Sequence, residues 1–177
     1  HIRGFLFAGI MKTMTLIKGV KVVNGSGKPP FQAEVLVKDD KIAAIGNFPT
    51  KKADLIIDGL GSYLLPGFID INTDPDHYLT LITHPSQSDF TSQGVTTIIG
   101  GHCGASLAPL LYGTLESIRK WADPTDINVN WHSTAEFLKT LDKLPLGVNF
   151  GTLAGHSTIR RALARENDRR LTNKELA

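Results

Sequence analysis

The sequence holds one cysteine, Cys103, so an internal disulfide framework is excluded and a reducing, cytoplasmic setting is the simpler expectation. It lacks a membrane-spanning run. The N-terminal stretch Phe5-Leu6-Phe7-Ala8-Gly9-Ile10-Met11 falls far short of the roughly 20 apolar residues a span needs. Charge of one sign is not in excess. The 19 Lys and Arg residues against 17 Asp and Glu leave a net +2, scattered along the chain, which argues against a nucleic-acid partner. No Walker loop, Rossmann glycine fingerprint, internal repeat or low-complexity tract is present. What remains is ordinary for a globular protein, with 41% hydrophobic and 20% charged residues. Its 177 residues suffice for one medium domain, or a small domain and part of a larger one. Residues 1–14 begin with His1, and no small-residue cleavage site follows their apolar run; they read as a tag remnant or disordered leader, with Met11 or Met14 as the start.

The chain divides by pattern at Pro66-Gly67. Before it, Thr15–Val23, Ala33–Lys38, Lys41–Gly46, Leu55–Asp58 and Tyr63–Leu65 read as short strands. They are separated by Asn24-Gly25-Ser26-Gly27 and by Asp39-Asp40, which suits a hairpin. Residues 15–66 are therefore expected to form an all-β module. After it, strands at Phe68–Ile71, Val95–Ile99 and Val148–Ala154 alternate with expected helices at 84–93, 117–122, 134–144 and 158–167. Ser133 or Thr134 caps the third of these, with Glu136 in its first turn. This alternation predicts parallel βαβ units over residues 67–177. Three units are too few to close a (β/α)8 barrel, which needs about 250 residues, and the chain stops at what reads as another helix start, so truncation is expected.

In a parallel barrel, functional groups stand at the C-terminal ends of strands. Here the three ends read Asn72-Thr73-Asp74-Pro75-Asp76-His77, Gly100-Gly101-His102-Cys103-Gly104 and Gly155-His156-Ser157. Cys103 is either a thiolate zinc ligand or a small buried hydrophobe. Gly101 and Gly104 beside it would leave room for a metal and substrate near the backbone. Asp74 and Asp76 are oxygen ligands, general bases or loop caps around Pro75. His102 and His156 are ligands, substrate donors or structural residues, the last being favoured for His102. Ser157-Thr158 reads equally as a helix cap. His77, His84 and His132 carry no supporting neighbours in sequence.

Several segments resemble the amidohydrolase superfamily. Leu16-Ile17-Lys18-Gly19, Val22-Val23-Asn24-Gly25-Ser26-Gly27 and Leu65-Pro66-Gly67-Phe68-Ile69-Asp70 are similar to its entry module. Gln93-Gly94-Val95-Thr96-Thr97, Gly101–Leu110 and Gly155–Arg160 narrow the resemblance to the D-aminoacylase (N-acyl-D-amino-acid deacylase) branch, over residues 15–177. The resemblance implies a zinc hydrolase that releases a D-amino acid from its N-acyl derivative, a small molecule. It also implies a small β-sandwich built from both chain ends beside a TIM-like barrel. Cys103 would be a metal ligand, His156 and Ser157 would lie at the substrate, and the remaining histidine ligands and catalytic aspartate would fall beyond Ala177. The family's usual His-x-His after the first strand is here Asn72 and Asp74, with Asp76 matching a carboxylate just after the pair. Amide and carboxylate oxygens suit harder cations than zinc, which counts against a second metal but not against a one-metal site, since catalytic zinc needs only three protein ligands; the number of metals stays open. Two competing readings are a cyclic-amide hydrolase like the dihydroorotases and a non-catalytic assembly protein. The Cys103 segment argues against the first, and a metal-ligand thiol against the second. Substrate side-chain preference and oligomeric state carry no signal in the sequence.

Overall fold

The computed structural model describes residues 13–49, 53–110, 115, 118–164 and 167–176. The chain forms two compact units that divide between Phe68 and Ile69, two residues past the change of pattern. The expected leader lies mostly outside the described residues, and Met14 already opens the first strand, its N–H bonded to Asp54 Oδ2 at 2.7 Å. Among the described residues no helix is long and apolar enough to cross a membrane.

The first unit is a five-stranded sheet. Strand β1 (Met14–Val22) pairs antiparallel with β2 (Phe31–Lys38), which pairs antiparallel with β3 (Lys41–Gly46). On its other side β1 runs parallel to β4 (Leu55–Asp58) and then to the short β5 (Tyr63–Leu64). The β2–β3 hairpin turns where the sequence places Asp39-Asp40, with Asp39 in the left-handed region at φ 58°. One extra residue between Ile17 and Val20 makes a bulge in β1. Gly19 occupies it at φ +64°, where a Cβ would stand 2.7 Å from Asp58 Oδ1. A small core of Val20, Val22 and Val35 holds this sheet.

The second unit contains a three-stranded sheet in the order β6 (Phe68–Asp70), β7 (Val95–Gly100), β8 (Asn149–Thr152), with β7 and β8 parallel. Two single-turn helices, α1 (Thr80–Thr83) and α2 (Ser88–Thr91), connect β6 to β7. Of the helix expected over 84–93 only α2 forms, because Pro85 disfavours helical backbone at His84, and α1 precedes the expected range. Residues 105–148 follow β7. Of the helix expected at 117–122, Ser117 lies outside the described residues. Ile118–Trp121 make only a tight turn, with Trp121 N–H donating to Ile118 O at 2.9 Å, and Asp123-Pro124 blocks its extension. Helix α3 (Thr134–Leu141) begins as its sequence indicates. Ser133 Oγ accepts the Glu136 N–H, and Glu136 in turn accepts the Ser133 N–H at 2.9 Å. Helix α4 (His156–Ala164) starts two residues before the expected Thr158, and α5 (Asn173–Leu176) closes the described chain.

The core of this unit gathers Leu79, Leu81, Ile98, Leu107, Ile118, Trp131, Phe137 and Leu141. Trp131 is buried with its indole N–H donated to Leu107 O at 2.6 Å, which satisfies the one polar atom of the largest core side chain. Strand β6 is not buried on both faces as a barrel-interior strand would be: Phe68 and Ile69 are exposed.

Candidate functional site

The ends of β6, β7 and β8 are joined by hydrogen bonds around one short segment, residues 99–106. From the first end, Thr73 donates both its N–H (3.2 Å) and its hydroxyl (2.8 Å) to Ile99 O. Asp76 Oδ2 accepts the Gly101 N–H at 2.7 Å, and His77 Nε2 contacts Ala105 O at 3.1 Å. From the third end, the Leu153 N–H donates to Gly100 O at 3.0 Å. The N–H groups of Ser157 (2.7 Å) and Thr158 (3.2 Å) donate to Gly104 O. The Ser106 N–H donates to Thr158 Oγ1 at 2.9 Å, and Ser106 Oγ accepts the Gly155 N–H at 2.9 Å.

This arrangement settles the helix cap. Ser157 and Thr158 lie inside the first turn of α4, and the backbone carbonyl of Gly104 takes the free N–H groups that a capping side chain would otherwise take.

Cys103 stands at the centre of this segment, exposed and at φ +54°, a conformation that costs a non-glycine residue of order 1–2 kcal/mol. Gly101 (φ +82°) and Gly104 (φ +75°) flank it. They do not leave open space, as the sequence suggested. A Cβ on Gly101 would stand 2.3 Å from Leu153 O, and one on Gly104 would stand 2.8 Å from Ser157 Oγ. These two glycines let the end of β7 approach the end of β8 and the start of α4. The same contact puts Ser157 one residue from Cys103. His156 is exposed beside it at the start of α4. His102 turns back on its own strand, with Nε2 at 3.1 Å from Ile99 O, a structural contact.

Asn72 is exposed, and its N–H closes a turn on Asp70 Oδ1 at 3.1 Å. Asp74 Oδ1 sits 3.2 Å from His77 Nδ1, within ion-pair range but out of line for a hydrogen bond. His77 is buried and stacked on Trp121, with ring centroids 4.2 Å apart and planes 13° from parallel. Asp76 is buried too. Burial pushes its carboxyl above the usual aspartate range, against the pull of His77 and of the Gly101 N–H. Its second oxygen, Oδ1, has no hydrogen-bond partner among the described residues. Sequence reasoning missed His77. Its partner Trp121 is 44 positions away (121 − 77), and no local pattern joins them.

Among the described residues no group of three or more His, Cys, Asp or Glu side chains is placed to hold a metal ion. The chain itself brings one soft donor, Cys103, on a braced loop, which fits one ligand of a zinc centre and not a whole one.

No family model matches the chain. Similar proteins are clear. N-acyl-D-aspartate deacylase of Alcaligenes xylosoxydans xylosoxydans is 34% identical over 162 residues, covering 92% of this chain and 32% of that protein. Among solved structures, N-acyl-D-glutamate deacylase of Bordetella bronchiseptica, complexed with zinc and a phosphonate mimic of the tetrahedral intermediate, superposes with a TM-score of 0.78 at 30% identity. That match covers 93% of this chain and 34% of that one. A D-aminoacylase structure, described as defining a novel subset of amidohydrolases, gives 0.77 at 33% identity, over 92% and 34% of the two chains. The chain thus spans about a third of the length of the relatives it matches.

The fold and these relatives place the chain among the amidohydrolases. Within them it belongs with the D-aminoacylases, the N-acyl-D-amino-acid deacylases, and corresponds to their N-terminal region.

Proposed function

We propose that this chain supplies the first part of the active site of a zinc-dependent amidohydrolase that cleaves the linear amide of N-acyl-D-amino acids to a carboxylate and a free D-amino acid. The observation that carries the reading is Cys103, an exposed thiol on a loop tied to both neighbouring strand ends, in a chain that superposes on a zinc-bound deacylase. Zinc, when bound, supplies a Lewis acid that polarises the amide carbonyl and lowers the pKa of a bound water to about 7.

Cys103 is the residue of this chain that would hold the metal, and its soft thiolate favours zinc over magnesium or calcium. The strand ends keep its backbone fixed, so the thiolate is presented from a rigid support. Ser157 and His156, beside Cys103 on α4, line the approach for a small-molecule substrate. Asn72 and Asp74 do not build a second zinc position, because Asp74 is engaged with His77 and Asn72 presents an amide where an imidazole would be needed. A one-metal site follows, completed by histidines and a catalytic carboxylate that this chain does not provide. The two units are then the first portion of a β-sandwich and the first three βα units of a (β/α)8 barrel, and the chain alone is inactive.

The test is Cys103→Ser in an active protein that carries this chain. The fold should persist while bound zinc and turnover of N-acetyl-D-amino acids are both lost. A variant that retains zinc and turnover refutes the reading, and a parent with neither would favour a non-catalytic assembly role.

A further inference from the structure

We propose that Asp76 is a positioning residue for Cys103: its buried carboxylate holds the Gly101 N–H and thereby fixes the turn on which the thiol stands. The inference rests on Cys103 being a metal ligand, as proposed above.

The turn needs holding. Gly101, Cys103 and Gly104 all have left-handed backbone, and Cys103 has no glycine's freedom to adopt it. On the side of β8 the hold comes from the Ser157 and Thr158 N–H groups on Gly104 O. On the side of β6 it comes from Asp76 Oδ2 on the Gly101 N–H at 2.7 Å and from His77 Nε2 on Ala105 O at 3.1 Å. The turn is thus gripped at both its ends, and the first grip is a charged side chain.

Structure alone does not call for a polar side chain there. Asp76 is fully buried, and a carboxylate taken out of water without a full set of partners is costly, whereas an apolar side chain of that size would not be. Here Oδ1 has no hydrogen-bond partner among the described residues, so the desolvation is incompletely compensated. The surrounding sequence also accommodates this group. A Cβ on Gly100 would stand 2.8 Å from Asp76 Oδ1, so glycine at 100 leaves the carboxylate its place. A residue kept at such cost, aimed at the backbone two positions before Cys103, acts on Cys103. Supporting groups behind a metal ligand typically govern its affinity by about 10–100-fold.

The experiment is a cadmium titration of the full chain, following the cadmium–thiolate charge-transfer absorption, in the wild type, Asp76→Ala, Asp76→Asn and Cys103→Ser. Asp76→Ala should keep its tryptophan fluorescence and circular dichroism while cadmium affinity falls about 10–100-fold. Asp76→Asn should recover most of the loss, since its carbonyl still accepts from Gly101. Unchanged affinity in Asp76→Ala overturns the inference, and so does a loss in Asp76→Asn as large as in Asp76→Ala. If the alanine variant does not fold, Asp76→Leu, which fills the site without an acceptor, takes its place: a loss of about tenfold or more supports the role and unchanged affinity refutes it. If the wild type shows no thiolate band beyond Cys103→Ser, one ligand does not suffice to hold the metal in this chain, and the metal reading is left to the Cys103→Ser test in an active protein. The alkylation rate of Cys103 by iodoacetamide then decides: a changed rate in Asp76→Ala supports positioning, and an identical rate overturns it.

Discussion

Replacing Gly101 with alanine would place a methyl group between the ends of β7 and β8. Gly101 has φ +82° and Gly61 has φ +83°, so alanine meets the same backbone strain at either position, of order 1–2 kcal/mol. Stiffening of the unfolded chain returns roughly 0.4–1 kcal/mol in both cases. The surroundings differ. Nothing lies within 4 Å of a Cβ at Gly61, whereas at Gly101 it would stand 2.3 Å from Leu153 O and 2.8 Å from Leu153 N. Leu153 is not free to move, because its N–H donates to Gly100 O at 3.0 Å. Overpacking adds about 1–3 kcal/mol, and loss of that bond about 1 more. Gly61→Ala should therefore cost about 1 kcal/mol, and Gly101→Ala about 2–5 kcal/mol, summing the same terms. Both tryptophans, Trp121 and Trp131, belong to the second unit, so their fluorescence in urea reports Gly101→Ala. Amide exchange along β1 reports Gly61→Ala. Equal losses would refute the argument that the strand ends are locked together at Gly101.

Ser133→Ala removes the acceptor for the Glu136 N–H and should cost about 1 kcal/mol of stability by urea unfolding, with Glu136→Gln costing less because the amide oxygen still accepts. Phe137→Ala empties a fully buried site beside Trp131, 5.1 Å away, and should cost about 3–5 kcal/mol in the same assay. Glu175 is held down to about 2 from the usual 4.5 by its hydrogen bond to Arg169 and by the Thr172 N–H and hydroxyl. Its folded pKa is lowered, so its contribution is complete above 4.5 and is lost as pH falls towards about 2, which carboxyl NMR titration checks. For Asp76 the sign is opposite. Its pKa is raised from 3.8 chiefly by burial, so the folded chain binds more protons and stability falls as pH rises above 3.8; Asp76→Asn should flatten that part of the pH–stability curve.

What was legible in the sequence is what local chemistry decides. Lys41–Gly46 and Leu55–Asp58 carry the β-branched and apolar runs of strands and occupy those residues in the structure. Asp39 takes the left-handed turn, and Ser133 with Glu136 forms the capping box, because both depend only on residues within a few positions. Errors arose where a neighbour's geometry overrode propensity. Pro85 delayed one expected helix to Ser88, and Asp123-Pro124 limited another. Helix α4 begins at His156, not Thr158, because Gly104 O, 52 positions before His156 (156 − 104), takes its first N–H groups. The position of Cys103 at the end of β7 was legible. The reason for its flanking glycines was not, since they face Leu153 and Ser157, which lie near them only after folding.

The first strand end shows why a motif's residue types and its role can part. Where a His-x-His pair would present two imidazoles outward, this chain presents an amide and a carboxylate, and the nearest imidazole, His77, points inward against Trp121. Asp74 and His77 face each other at 3.2 Å, so the most metal-capable pair of this loop is directed at itself. The remaining carboxylate, Asp76, grips Gly101. All three polar groups are thereby engaged in bracing, and the thiol they brace is left exposed. A loop that offers few free donors, yet directs a buried carboxyl at its neighbour, is consistent with a single metal position centred on the second strand, as proposed above. If Cys103 holds a metal as proposed, an amide and a carboxylate at the first-strand positions would deny a second metal its imidazoles without removing the support of the first.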